Sequence, residues 1–196
     1  MKKIIFLSAT VVLLISISVF SCTESKTTEP KTEVKQEMSQ EALIKRGEYI
    51  VLTAACDDCH SPKLGNSFEI DPERRLSGYP SNVPVKTTNT PALKDGYLLF
   101  GPGLNSAIGP WRMSFAANLT SDSTGIGAWT EEQFFNAIRH GKSKGLMNNR
   151  DLLPPMSWPV YKNLTDEDLR AVFAFLKSTK PVRNIVPAPI PPDQLK

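Results

Sequence analysis

The segment that most constrains this chain is Cys56-Asp57-Asp58-Cys59-His60, with two cysteines and a histidine at relative positions 0, 3 and 4. On a helix these positions point to one side, so the two thiols and the imidazole face the same region of space. C-x-x-C-H is the attachment motif of c-type haem: two thiols add to the haem vinyl groups and the imidazole reaches the iron. The segment therefore predicts one covalently bound haem c.

A C-x-x-C pair has two other common roles. In a thioredoxin-like protein it is a redox-active dithiol, but the strand–helix alternation of that fold is not evident in this sequence. In a structural zinc site it supplies half of the four ligands. Cys22 belongs to a different kind of segment, and only His140 remains elsewhere, so zinc is poorly supported.

The N-terminus predicts export. Lys2 and Lys3 precede a nearly unbroken apolar run over residues 4–20, which is the architecture of a signal peptide covering residues 1–21. A single-pass anchor is the alternative, because the run approaches the length that spans a bilayer.

The end of this run resembles the lipobox of bacterial lipoproteins. It reads Val19-Phe20-Ser21-Cys22, with Val19 where leucine is usual. The resemblance implies that Cys22 is lipidated and becomes the mature N-terminus, which anchors the protein to a bacterial membrane, facing the periplasm or the cell exterior. Stable anchoring needs more than one acyl chain, and bacterial lipoproteins characteristically carry several.

Residues 22–38 are mostly Thr, Glu and Lys after the cysteine, too polar to offset their ordering entropy. They predict a flexible tether that reaches roughly 20–24 Å in coil statistics. Without Lys2 and Lys3 the chain holds 21 basic and 20 acidic residues, a net charge of +1. This balance argues against a nucleic-acid surface, which needs clustered positive charge.

Three helices are predicted in the domain over residues 39–181. The first covers residues 39–60. The second begins at a Thr130–Gln133 capping box and stops at Gly141. The third begins at Thr165 and stops at Pro181. The apolar positions of the first helix are Leu43, Gly47, Ile50, Val51 and Ala54, and those of the third are Leu169, Val172, Phe173 and Leu176.

Between the first two helices the periodicity is lost. Seven prolines and six glycines punctuate residues 61–115, which predicts ordered loop with short turns of helix or a small hairpin. Residues 182–196 are rich in proline and predict an extended tail.

The iron needs a sixth ligand from elsewhere in the chain. The candidates are Met113, Met147, Met156 and His140. Met156 is the strongest, because the two prolines before it restrict its approach and a strong helix follows. A thioether opposite histidine raises the reduction potential. Core filling is the alternative role of any single methionine, and His140, at a helix end, is expected to be solvated.

With these residues in place, the chain resembles class I c-type cytochromes over residues 39–181, apart from the loop region. The haem motif follows a first helix, a Pro-Met segment comes late, and a C-terminal helix follows. The resemblance implies an all-α, cytochrome c-like helical domain around one covalent haem, with a long loop-rich insertion. Residues 124–130, 137–139 and 164–169 are similar to the cytochrome subunits of membrane-bound alcohol and aldehyde dehydrogenases, which carry several haem motifs where this chain has one.

The same resemblance implies a crossing of the first and last helices at a glycine–aromatic contact. Gly47 and Phe175 are the candidates here, with Leu52 and Val172 alongside. Trp111, Arg112 and Trp158 are candidates for contacts to the haem propionates, Arg112 through paired hydrogen bonds. Packing of the two tryptophans and surface exposure of the arginine are the alternatives.

These observations lead to one functional hypothesis and two competitors. The leading one is one-electron transfer between a redox donor and an acceptor at the membrane, by an electron carrier or electron-transfer subunit with no active site of its own. The second is an enzyme or gas sensor with five-coordinate haem. The third is a non-haem binding lipoprotein in which C-x-x-C-H is incidental.

Overall fold

The computed structural model describes residues 38–88 and 90–195. The predicted signal peptide over residues 1–21, the lipid site at Cys22 and the tether up to residue 37 lie outside the described residues. In the described ranges no helix is long and apolar enough to cross a membrane.

The described chain forms six α-helices and one three-stranded antiparallel sheet. The helices are α1 Gln40–Thr53, α2 Cys56–His60, α3 Pro91–Lys94, α4 Glu131–His140, α5 Trp158–Tyr161 and α6 Asp166–Ser178. The strands are β1 Leu99–Phe100, β2 Ser106–Gly109 and β3 Arg112–Phe115, in the order β1-β2-β3. Short 3₁₀ turns occur at Pro72–Arg74, Pro102–Leu104, Ser143–Gly145 and Pro192–Gln194.

The first predicted helix is two helices. Ala55 adopts a left-handed conformation with φ 57°, so α1 ends at Thr53 and α2 begins at Cys56. The break is held from outside, because the hydroxyl of Tyr161 donates a hydrogen bond of 2.7 Å to the carbonyl oxygen of Ala54. The motif helix is therefore an element of its own, oriented by a residue from the other end of the domain.

The two later helices begin as predicted. Thr130 and Gln133 form a reciprocal capping box at α4, and Gly141 ends that helix with φ 64°. Thr165 caps α6 through the backbone N–H of Asp168. Helix α6 ends at Ser178, before Pro181, because the hydroxyl of Thr179 donates to the Leu176 carbonyl oxygen and Thr179 is extended.

The expectation of an all-α domain misses the sheet. Strands β2 and β3 form a hairpin with Ala107 opposite Ser114, and the two residues of β1 pair with the other edge of β2. The small hairpin that the loop region was expected to allow is thus present. It lies in a segment whose strands of two to four residues are too short to give a clear alternating pattern.

Helices α1 and α6 cross in direct backbone contact. A Cβ on Gly47 would overlap the carbonyl oxygen of Ala171 and lie 2.8 Å from Cβ of Phe175. The predicted Gly47–Phe175 contact is therefore present, and Val172 is buried beside it. Leu52 is not part of this crossing, because it is 54% exposed. The buried core cluster comprises Ile50, Val51, Leu76, Ile126, Phe134, Leu169, Val172, Phe175 and Leu176.

The C-terminal tail packs back across the domain. The side chain of Asn184 donates to the carbonyl oxygens of Ser77 and Tyr79 and accepts from the N–H of Ser81. Further on, Ile190 exchanges two backbone hydrogen bonds with Met113, at 2.9 and 3.1 Å. The tail therefore pairs with one residue of the free edge of β3.

Candidate haem-binding site

The three motif residues lie together on the five-residue helix α2. Cys56 and Cys59 are free thiols, and each is partly buried. His60 follows directly at the end of the helix and is also partly buried. Two thiols three residues apart and an adjacent imidazole are the side chains that covalent haem attachment requires.

The imidazole of His60 is held in one orientation. Its Nδ1 lies 2.8 Å from the carbonyl oxygen of Ala117. A carbonyl oxygen only accepts, so Nδ1 carries the proton and Nε2 keeps its lone pair for a metal. Burial lowers the pKa of His60, although the bond to Ala117 and the charge of Asp57 oppose this. The neutral imidazole is the form that binds iron.

The thiols are not activated. Burial raises the pKa of Cys56 to about 11, and the charge of Asp57 adds to this effect. Burial also raises the pKa of Cys59, with Asp58 as the next cause. Reactive dithiols have a lowered pKa, so this environment does not resemble that of a thioredoxin-like redox pair.

Between the cysteines, Asp57 is buried with 4% of its surface exposed. Its carboxylate accepts from Nε and Nη2 of Arg75, at 3.0 and 2.8 Å, and from the hydroxyl of Ser61 at 2.6 Å. The same guanidinium reaches Glu48 of α1 at 3.4 Å and stacks over the Phe175 ring at 5.5 Å. Arg75 therefore joins the motif helix to both helices of the crossing.

The carboxyl end of α2 is held by two side chains. The ammonium of Lys63 donates to the backbone oxygens of Asp58 and Ser61 at 2.8 and 2.7 Å, and to that of Asp57 at 3.2 Å. The amide of Asn105 donates to the backbone oxygens of Cys59 and Ser61, at 2.6 and 3.1 Å. The bonds to Asp58, Cys59 and Ser61 satisfy carbonyls that the end of a helix leaves without intrahelical partners.

Met156 lies in a loop that is fastened to β3. The hydroxyl of Ser114 donates a hydrogen bond of 2.7 Å to the carbonyl oxygen of Pro154. Ala117, which holds the imidazole of His60, lies three residues further along the same segment. The motif helix and the Met156 loop are thus attached to one short stretch of chain, residues 114–117.

The other candidate axial ligands have different environments. Met113 is 3% exposed and lies within β3, paired with Ile108 and Ile190. Met147 is 52% exposed, and His140 is exposed at the end of α4. The expectation that His140 is solvated is in keeping with this placement.

The three suggested propionate contacts are placed as follows. The indole nitrogen Nε1 of Trp111 is buried and has no hydrogen-bond partner in the described residues. Nε of Arg112 donates to the Trp111 carbonyl oxygen at 3.0 Å. Trp158 packs against Gly141, where a Cβ would overlap its ring. The pKa of Arg150 is lowered by burial and by the charge of Arg112, which places a second guanidinium near the first.

Four residues that hold the motif helix were not identified from the sequence. They are Lys63, Arg75, Asn105 and Tyr161. An unusual acid inside the motif, Asp57, is the one local signal that a cation would be found near it. Arg75, Asn105 and Tyr161 lie between 18 and 107 residues from the groups they bind, so no local pattern indicates them. Lys63 is the exception, because it lies two to six residues from its three carbonyls.

These residues fit a covalent haem. Two unactivated thiols and a free Nε2 offer two attachment points and one iron ligand. The buried indole N–H of Trp111 is an unused donor of the kind that an anionic group such as a propionate accepts from.

Comparison with known proteins gives the following relatives; no family model matches the chain. The gluconate 2-dehydrogenase cytochrome c subunit of Pantoea cypripedii is 30% identical over 148 residues, 74% of this chain and 25% of the relative. The fructose dehydrogenase cytochrome subunit of Gluconobacter japonicus is 29% identical over 166 residues, 84% and 26% of the two chains. The cytochrome c subunit of the quinone alcohol dehydrogenase of Gluconobacter oxydans is 29% identical over 146 residues, which are 74% of this chain and 23% of the relative.

All three relatives are cytochrome subunits of dehydrogenases, which supports a cytochrome c-like family and a haem cofactor for this chain. The chain spans about a quarter of the length of these relatives.

Proposed function

We propose that this protein is a one-electron carrier with a single haem c, attached through Cys56 and Cys59 and ligated by His60 and Met156. The observation that carries the proposal is the hydrogen bond from Nδ1 of His60 to the carbonyl oxygen of Ala117. It fixes the tautomer and the ring orientation that leave Nε2 available to iron, as second-shell partners of metal-binding histidines generally do.

The surroundings of Met156 support its role as the second axial ligand. The Ser114–Pro154 hydrogen bond anchors its loop on the same stretch of chain that anchors His60. Met113 is buried within strand β3, whereas Met147 is exposed to solvent. A partly buried thioether on an anchored loop suits a ligand better than either of these.

When bound, haem supplies a one-electron couple between ferric and ferrous iron. Cys56 and Cys59 would hold the haem by two covalent bonds, and His60 and Met156 would offer an imidazole and a thioether to the iron. If the protein supplies both of these ligands, no position is left on the iron for a substrate. The proposal is therefore an electron carrier or electron-transfer subunit rather than an enzyme.

Trp111 and Arg112 are proposed to bind the haem propionates. The support is the buried indole N–H of Trp111, which has no hydrogen-bond partner among the residues that the structure describes, and the partly buried Arg112 next to it in the chain. Trp158 is proposed to pack at the edge of the haem, and its position against Gly141 shows that it also fills space beside α4.

The relatives suggest the partners. Because they are cytochrome subunits of sugar-acid, sugar and alcohol dehydrogenases, the proposed electron donor is a dehydrogenase subunit and the acceptor another redox protein at the membrane. Interfaces of this kind are usually small and transient. Attachment to the membrane is proposed through a lipid on Cys22, after export and cleavage of residues 1–21.

The test is an optical spectrum of the purified protein, oxidised and reduced, together with haem staining after denaturing gel electrophoresis. We expect a stained band, sharp peaks on reduction and the weak far-red band of sulfur-ligated ferric haem. Covalent haem with a high-spin spectrum would instead support a five-coordinate enzyme or sensor. An unstained band after expression with the attachment machinery would overturn the proposal.

A further inference from the structure

Lys63 is distinguished by what its ammonium binds. All three of its hydrogen bonds go to backbone carbonyl oxygens of residues 57–61, at 2.7, 2.8 and 3.2 Å. An ammonium has three N–H donors, so its capacity is used entirely on the haem motif and the residue after it. The other nearby cation, Arg75, is by contrast neutralised by the carboxylate of Asp57.

This arrangement does two things at once. The carbonyls of Asp58 and Ser61 lie at the carboxyl end of α2 and just beyond it, where a cation interacts favourably with the helix dipole and supplies missing donors. The carbonyl of Asp57 also accepts from the backbone N–H of Ser61. A helix of five residues has too few internal hydrogen bonds to hold its own end. Lys63 therefore steadies the backbone that carries Cys59 and His60.

The charge itself is held at the motif, since the ammonium donates to the backbone oxygens of Asp58 and Ser61, the residues on either side of Cys59 and His60. Lys63 is partly buried, its aliphatic stem lies against Gly103, and its three hydrogen bonds hold the ammonium in place. Reduction of ferric haem adds one negative charge to the site. A fixed positive charge near the haem stabilises the reduced state more than the oxidised one, and partial burial of Lys63 weakens the screening of its charge by water.

We infer that Lys63 is a positioning residue for the haem, which clamps the carboxyl end of the motif helix and raises the reduction potential through its fixed charge. The inference rests on the proposed function, since it requires a haem at Cys56, Cys59 and His60. Nothing in the motif pattern itself assigns a role to the residue three positions after the histidine.

The test compares Lys63→Gln and Lys63→Arg with Lys45→Gln in the full-length holoprotein. Lys45 has a 73% exposed side chain paired with Glu41 on α1, so its substitution makes the same change in net charge away from the motif. The readouts are covalent haem per chain and the midpoint potential in a spectroelectrochemical titration. We expect Lys63→Gln to lower the potential more than Lys45→Gln does, and Lys63→Arg to restore most of the difference.

Potentials of Lys63→Gln and Lys45→Gln that shift equally would overturn the inference while leaving the proposed function intact. Absence of haem from the unaltered protein would overturn both. If Lys63→Gln fails to accept haem, recovery by Lys63→Arg supports the clamp and failure of both variants contradicts the role of the charge.

Discussion

Asp57, one of the two residues between the cysteines of the C-x-x-C-H motif, forms a salt bridge of 2.8 Å with the partly exposed guanidinium of Arg75. The surface of Asp57 is 4% exposed. Loss of the guanidinium leaves this buried carboxylate without its counter-charge and with the hydroxyl of Ser61 as its remaining side-chain partner, which is a costly change.

We therefore expect Arg75→Met to lower the free energy of unfolding by about 3 kcal/mol, and Asp57→Asn by less. Arg46→Met is the matched control, because its bridge to Asp168 is more exposed and should contribute at most about 1 kcal/mol. Urea unfolding measures all three. The double variant Asp57→Asn with Arg75→Met should lose less free energy of unfolding than the sum of the losses in the two single variants. If the losses simply add, the salt bridge is not the cause of the destabilisation.

Gly47→Ala separates helix propensity from packing. Helix propensity alone predicts that this substitution raises the free energy of unfolding by about 1 kcal/mol, since alanine is more favourable than glycine in a helix interior. The added Cβ would overlap the Ala171 carbonyl, so we expect a loss of about 2 kcal/mol or more instead. Thermal unfolding gives the sign directly. Ala42→Gly, at an exposed position of α1, is the control. It should lower the free energy of unfolding only by the difference in helix propensity, about 1 kcal/mol.

The two cysteines should contribute separately to attachment. Cys56→Ala and Cys59→Ala should each impair haem attachment, because each variant removes one of the two thiols and keeps only the other. The double variant should lose haem from the denatured chain altogether. Haem staining and the alkaline pyridine spectrum, which distinguishes one from two thioether bonds, measure both effects. Full staining of the double variant would mean that attachment occurs elsewhere.

Met156→Ala should keep the covalent haem, lower the reduction potential and open the iron to carbon monoxide. The reason is that a thioether ligand favours ferrous iron, and its loss leaves a vacant position. Met147→Ala is the control, since Met147 is 52% exposed, and it should leave both properties unchanged. If the reduction potential of Met156→Ala is unchanged, Met156 is not a ligand of the iron.

Cys22→Ser tests the membrane attachment independently of the haem. We expect the variant to retain its haem spectrum but to move from the membrane fraction to the soluble fraction of the cell envelope, because no acyl chain anchors it. Mass spectrometry of the unaltered protein should show acylation on Cys22. If the variant stays with membranes, the apolar run over residues 4–20 acts as an uncleaved anchor.

The features predicted well from sequence are those set by neighbouring residues. The capping box of Thr130 and Gln133 depends on groups three residues apart, and it begins α4 as expected. The contact of Gly47 with Phe175 was anticipated from family resemblance, and a glycine in an otherwise regular helix is consistent with close backbone approach.

Other features depend on contacts that span the chain. Ala55 breaks the first helix although alanine is the strongest helix former, because distant groups such as the Tyr161 hydroxyl hold the chain there. Arg75 lies 18 residues beyond Asp57, and Asn105 lies 46 beyond Cys59. No periodic pattern in the sequence encodes such pairings, so these contacts to the motif helix can be identified only from the three-dimensional structure.

The pairing of Ile190 with Met113 bears on how the protein behaves when many copies are crowded together. An uncovered outer strand offers unpaired N–H and C=O groups on which a second molecule can continue the sheet. Here the tail occupies part of that position on β3, and the opposite outer strand, β1, is only two residues long. A protein truncated before Ile190 would expose the backbone N–H and C=O of Met113 at this edge, and we expect it to associate with itself more readily.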